Sequence, residues 1–150
     1  MDSQKQIISF VFYINILENY ITQCYIEYMK QLMTRHFSKW AGKQKISISE
    51  LANALDEIGS GQFEADLGGH ILKKRIRFQG KGKSKSGRTI ICYKKGDRAI
   101  FIYGFAKNEK SNLSPKEFKA FKELSKVLLK MTIKQINTAV KNGDFIEVKT

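Results

Sequence analysis

The sequence predicts an α+β domain, a small antiparallel β-sheet flanked by helices. Three observations predict it. Apolar residues change spacing from about 3.6 to 2 in the middle of the chain, and helix-start signatures stand on either side of that stretch. A length of 150 residues, 42% of them hydrophobic and 27% charged, suits one soluble globular domain and excludes wholesale disorder. A chain of this size buries enough surface to need no disulfide or metal. Its two cysteines, Cys24 and Cys92, read as free thiols in a reducing compartment.

The first 28 residues stand apart. Ile7 to Leu17 is uncharged, but Glu18, Glu27, Asn15, Asn19 and Gln23 leave it short of the roughly 20 apolar residues of a membrane span. One lysine and no small-residue cleavage motif make it a poor secretion signal. Its apolar residues are not confined to one stripe. The segment fits a sticky helix, a strand, or sequence upstream of a start at Met29 or Met33, and residues 1–28 are read as an N-terminal extension to a domain spanning 29–150.

A short strand is expected over Met29 to Met33, then a brief helix through Phe37, Trp40 and Ala41 that stops at Gly42. Ser47 with Glu50 three residues later forms a capping box, and Leu51, Leu55 and Ile58 recur at helical spacing before Gly59 and Gly61. From Ile71 to Phe78, the alternation sends Leu72, Ile76 and Phe78 to a core and Ile71, Lys73, Arg75 and Arg77 to the other side, with Lys74 exceptional on the core side. Gln79 to Gly87 is a polar loop leading to strands Arg88 to Tyr93 and Ala99 to Phe105, joined at Lys95-Gly96-Asp97: a three-stranded antiparallel meander. Ser114-Pro115-Lys116-Glu117 starts a helix with Phe118, Phe121, Leu124, Leu128 and Met131 as its buried stripe. Thr132 with Gln135 starts another through Ile133, Ile136 and Val140, Gly143 follows its end, and Phe145 to Val148 suits an edge strand.

The charge distribution carries the functional signal. The net charge is +13, and between Ile71 and Asn112 stand thirteen Lys and Arg against only Asp97 and Glu109. Nearly all the excess therefore lies in the meander, interleaved with Phe78, Tyr93, Tyr103 and Phe105, which points to nucleic acid ahead of an anionic membrane or an acidic protein. His36 and His70 lack metal-ligand spacing, and Gly-Lys-Gly-Lys-Ser at 80–84 lacks the GxxxxGK[ST] spacing of a phosphate loop, so no metal or cofactor is expected. Lys73, Arg75 and Arg77 at i, i+2 and i+4 project from one side of a strand about 6 to 7 Å apart, close to the phosphate spacing of a nucleic-acid strand. Such a face can bind RNA through stacking and phosphate contacts. It can also cleave RNA without a metal, because 2′-OH attack on the adjacent phosphate builds charge that arginines stabilise, while a lysine crowded by cations becomes a proton-transfer group.

The basic strand LKKRIR, the GKGKSKSGRTI passage, the KGDRAIFIYGFAKNE strand with its exit, and the helix beginning at Ser114 together resemble the RelE/HigB group of bacterial toxins from type II toxin-antitoxin modules. The resemblance runs from about Met29 to the C-terminus. It implies a microbial-ribonuclease type of fold and a cytoplasmic toxin that cuts messenger RNA in the ribosomal A site until an acidic antitoxin, with a helix-turn-helix DNA-binding region, neutralises it. By the same resemblance, Lys73 and Arg75 act near the scissile phosphate, Arg88 is the phosphate-stabilising arginine, and Lys107 begins the basic motif after the last strand. These four are the catalytic candidates. Arg77, Lys81, Lys83, Lys85, Tyr93, Tyr103, Asn108 and Lys110 are the candidates for holding RNA. Asn108 stands where several relatives carry a second cation, and Ser114 lies near where some place a catalytic tyrosine, so either Tyr93 or Tyr103 substitutes or no tyrosine takes part. The gyrase-poisoning ParE branch shares the scaffold but tends to lack the clustered phosphate-directed residues found here. The alternative function is a non-catalytic ribosome-associated or RNA-binding module, whose affinity falls with salt while no strand is broken.

Overall fold

A computed structural model describes residues 3–78 and 86–149, without side chains for 22–28. In chain order the elements are α1 (Ser3–Tyr28), β1 (Lys30–Thr34), α2 (Arg35–Lys43), α3 (Ile48–Gly59), β2 (Ala65–Asp66), β3 (Ile71–Arg77), β4 (Ser86–Lys94), β5 (Arg98–Ala106), α4 (Pro115–Lys130), α5 (Ile133–Lys141) and β6 (Phe145–Glu147). The strands form one sheet in the order β2-β3-β4-β5-β1-β6. The expected β3-β4-β5 meander lies at its centre, antiparallel throughout. β1 runs parallel to β5, a non-local pairing that local sequence does not encode, and β6 is the edge strand beside β1. The four helix starts are set by local chemistry. Ser47, Ser114 and Thr132 form complete capping boxes with Glu50, Glu117 and Gln135, and Thr34 caps α2.

The sheet is covered on both faces. On one side Phe37, Leu51, Leu55 and Ile58 of α2 and α3 pack against Leu72, Ile76, Phe78, Ile91 and Phe101. On the other, Leu128 of α4 and Ile136 of α5 pack against Ile71, Ile90, Cys92, Ile100 and Phe105. This second core corrects the expectation that Ile71 faces away from a core: α4 passes over the start of β3, where the Ser125 hydroxyl donates to Gly69 O at 2.8 Å, and Ile71 is fully buried. The expected stripe of α4 is also narrower in the fold. Leu128 is buried, Phe118, Phe121 and Met131 are half-buried, and Leu124 is exposed, because the line touching the sheet runs through Phe121, Ser125 and Leu128. Cys92 is a buried free thiol whose pKa is raised by burial, with its Sγ 3.3 Å from the Ser125 hydroxyl.

Residues 1–28 were open between helix and strand, and the described part is a helix. Its apolar side chains, including Ile7, Phe10, Phe12, Leu17 and Ile21, are exposed. No helix among the described residues is long and apolar enough to cross a membrane.

Two contacts set the position of the helices on the sheet. Trp40 of α2 lies over Gly104, with its indole also close to Gly87, and a methyl group on Gly104 would collide with the indole. Arg98, buried at the start of β5, donates through Nη1 to Leu128 O at 2.8 Å and Met131 O at 2.7 Å, satisfying carbonyls at the end of α4. Gly104→Ala is expected to destabilise the fold by about 1–3 kcal/mol through overpacking, read as a lower denaturant midpoint at unchanged m-value. Arg98→Met should cost about 1.5–3 kcal/mol for the lost charged hydrogen bonds, read as a lower denaturant midpoint.

Candidate active site

Strand alternation and register assemble the site. Arg75 pairs across the ladder with Arg88, Arg77 with Ser86 and Lys73 with Ile90, so these side chains share the face that carries α4 and α5. On the next strand Arg88 is opposite Phe105, and Ile90 opposite Tyr103. α4 covers the Ile71 end of this face and leaves the Arg77 end open: Ile71 is buried, Lys73 half-buried, and Arg75 and Arg77 exposed.

The two arginines meet at one hydroxyl. Arg75 Nε donates to Ser86 Oγ at 3.2 Å, and Arg88 Nη1 donates to the same oxygen at 3.3 Å. Arg88 is also fixed by Glu64, whose Oε2 lies 2.7 Å from its Nε, and its side chain is only 10% exposed. One guanidinium is thus buried and oriented while the other, also bonded to Ser86, is exposed to solvent. Their remaining N–H groups form a fork suited to phosphate oxygens. Lys107 enters from the adjacent strand end, its amide donating to Ser86 O at 3.1 Å, and the side chains of Lys107 and Asn108 are exposed.

An aromatic shelf borders the cations. Tyr103 is half-buried, its ring 6.1 Å from Phe105 and 5.0 Å from Phe121 of α4, centroid to centroid, and 6.2 Å from His36 of α2. Lys110 Nζ sits 5.5 Å from the Tyr103 ring centroid and 5.7 Å from that of Phe105. Glu117 binds this ammonium, so Lys110, a candidate for holding RNA, is ion-paired in this structure.

The fold sorts the remaining candidates. Tyr93 is not brought to the site: it lies on the opposite face, packed on the α2–α3 core, and burial raises its pKa. Its separation from Arg88 along one strand is odd, which places the two on opposite sides, so the signal was present in the sequence. Lys81, Lys83 and Lys85 lie outside the described residues. Two of the thirteen cations are structural: Arg98 caps α4, and Lys74, buried as the core-side exception, bonds the Glu57 carboxylate and donates to Gln62 O at 2.9 Å. Sequence reasoning missed Glu64 and Ser86. Glu64 reaches Arg88 only because β2 returns alongside β3, while Ser86 was assigned to the loop when it is the first residue of β4. Among the described residues, no group of three or more His, Cys, Asp or Glu is placed to hold a metal ion.

The Lys110–Glu117 pair has a defined pH window. Hydrogen bonding by Lys110, together with the Ser114 amide and hydroxyl, lowers the Glu117 pKa from 4.5 to about 2, and the same carboxylate raises that of Lys110. A depressed carboxylate pKa favours the fold above the unfolded value and ceases to do so as pH falls through the folded one. The tether should therefore persist from neutral pH down to about 2. A carboxyl-carbon NMR titration should place Glu117 near that value, and Lys110→Ala should move the midpoint upward while the Ser114 contribution remains.

The family to which these features belong is given by comparison. Residues 29–148, beginning just after α1 and including the whole sheet, match the family described as the RelE toxin of the RelE / RelB toxin-antitoxin system. No individual curated protein matches the chain. With the match spanning the complete sheet and the paired arginines it carries, the chain belongs to the RelE toxin family and is the toxin of a toxin-antitoxin pair.

Proposed function

We propose that this toxin is a ribosome-dependent messenger-RNA endoribonuclease that cuts in the A site by 2′-OH attack, with residues 29–150 as the toxin domain and 1–28 as an N-terminal extension. The observation that carries the reading is the meeting of Arg75 and Arg88 on Ser86 at the open end of the sheet. In the reaction the ribose 2′-oxygen bonds to the adjacent phosphorus, and the bond from phosphorus to the 5′-oxygen breaks. The hydroxyl loses its proton to a base and the departing 5′-oxygen gains one, leaving a 2′,3′-cyclic phosphate and a 5′-hydroxyl. Negative charge peaks on the phosphorane oxygens between these events. Arg88, already oriented by Glu64 and Ser86, stabilises that charge without reorganising, and the exposed Arg75 closes on it from solvent. Lys73 and Lys107 flank the same point as phosphate or proton-transfer groups. Arg77, Asn108 and Tyr103, with Lys81, Lys83 and Lys85 of the connecting segment, hold messenger or ribosomal RNA, and Lys110 joins them when RNA displaces Glu117.

A toxin of this family has an antitoxin as its partner. The charge of +13 supports an acidic one, and we extend the reading to an antitoxin with a helix-turn-helix DNA-binding region, acting in the cytoplasm.

The test is to add the full-length protein to a defined messenger with and without programmed ribosomes and map new 5′ ends. Cuts in the A-site codon that require ribosomes are expected, with Arg75→Ala and Arg88→Ala each slowing them by about 100- to 1,000-fold. Ribosome-independent cuts would discard the A-site step, and salt-sensitive binding without cuts would make the protein an RNA-binding module.

A further inference from the structure

His36 stands outside the proposed reaction, yet its position is specific. It lies in the first turn of α2, immediately beyond β1, the neighbour of β5 in the sheet, and its imidazole is parallel to the Tyr103 ring within 3° at 6.2 Å between centroids. Tyr103 in turn packs on Phe121 of α4 at 5.0 Å, so three aromatic rings form a row running from α4 to the surface. The row ends in an exposed ring, since His36 is exposed while Tyr103 and Phe121 are half-buried. Among the described residues, no side-chain hydrogen bond or ion pair anchors the His36 imidazole. Tyr103 lies two ladder pairs along from Phe105, the residue opposite Arg88, and His36 follows β1, the next strand across. Strand spacing and rise put the start of α2 roughly 12 Å from Arg88, a distance about two nucleotides span.

We infer that His36, backed by Tyr103, is a stacking platform for a nucleobase of single-stranded RNA next to the phosphate held by Arg75 and Arg88. The inference rests on the RNA-directed reading of that site. Aromatic faces bind bases with little regard to identity, and a ring already aligned on its neighbours loses little freedom on stacking. His36 is thus a positioning residue: it sets which nucleotide sits over the arginines and takes no part in proton transfer.

The experiment measures binding of the full-length protein to RNA carrying 2′-O-methyl riboses, which cannot be cut, both free and as the A-site codon of a programmed ribosome. His36→Ala is expected to weaken binding about tenfold, and His36→Phe, which keeps a stacking face, to stay within about threefold of wild type. Replacing one base of the RNA with an abasic residue should weaken wild-type binding by a similar factor and add nothing to the loss in His36→Ala, the signature of a direct pair in a double-mutant cycle. His36→Ala binding like wild type, or His36→Phe failing to restore affinity, overturns the stacking role. In either case, cleavage of unblocked messenger by the wild type would leave the ribonuclease reading standing. Wild-type protein that binds neither form of the RNA overturns both.

Discussion

The pairing of β3 with β4 puts two guanidinium groups side by side, and much else in the domain serves to tolerate and aim them. Two permanent like charges repel, and the repulsion grows as water is excluded. The fold answers with three features: Glu64 against one guanidinium, a shared hydroxyl acceptor in Ser86, and an exposed position for the other guanidinium.

How much of that face stays open depends on α4. Its last turn is held by Arg98, its middle by Ser125 on Gly69, and its start lies next to the Lys110–Glu117 pair. These attachments place the helix over Ile71 and Cys92 and stop it short of Arg75. Had α4 covered the whole face, Arg75 and Arg77 would need buried partners. Burial at one end and exposure at the other are thus one design: the apolar half of the face stabilises the fold and the cationic half remains open to solvent.

Helix α1 stands outside this arrangement. It precedes the region that defines the family, and most of its apolar side chains between Ile7 and Ile21 are exposed, unlike α2, α3 and α5, each of which buries one face. Among the described side chains, both cores are built from residues at and beyond Met29.

Local sequence determined the elements whose causes are local. Capping boxes place the starts of three helices, period-two alternation marks the meander, and the concentration of cations between Ile71 and Asn112 locates the functional face, because each signal acts over a few bonds or one strand. The tertiary structure alone decided which cations serve it. Lys74 and Arg98 look like Arg75 and Arg88 in a list of charges, but Lys74 meets Glu57 across α3 and Arg98 meets carbonyls some thirty residues away at the end of α4. Glu64 and His36 enter the site only when β2 and β1 take their places beside β3 and β5. A charge's role depends on what the folded chain brings within a few ångströms of it, and such distances between remote residues are set by strand pairing and helix packing, not by neighbours in sequence.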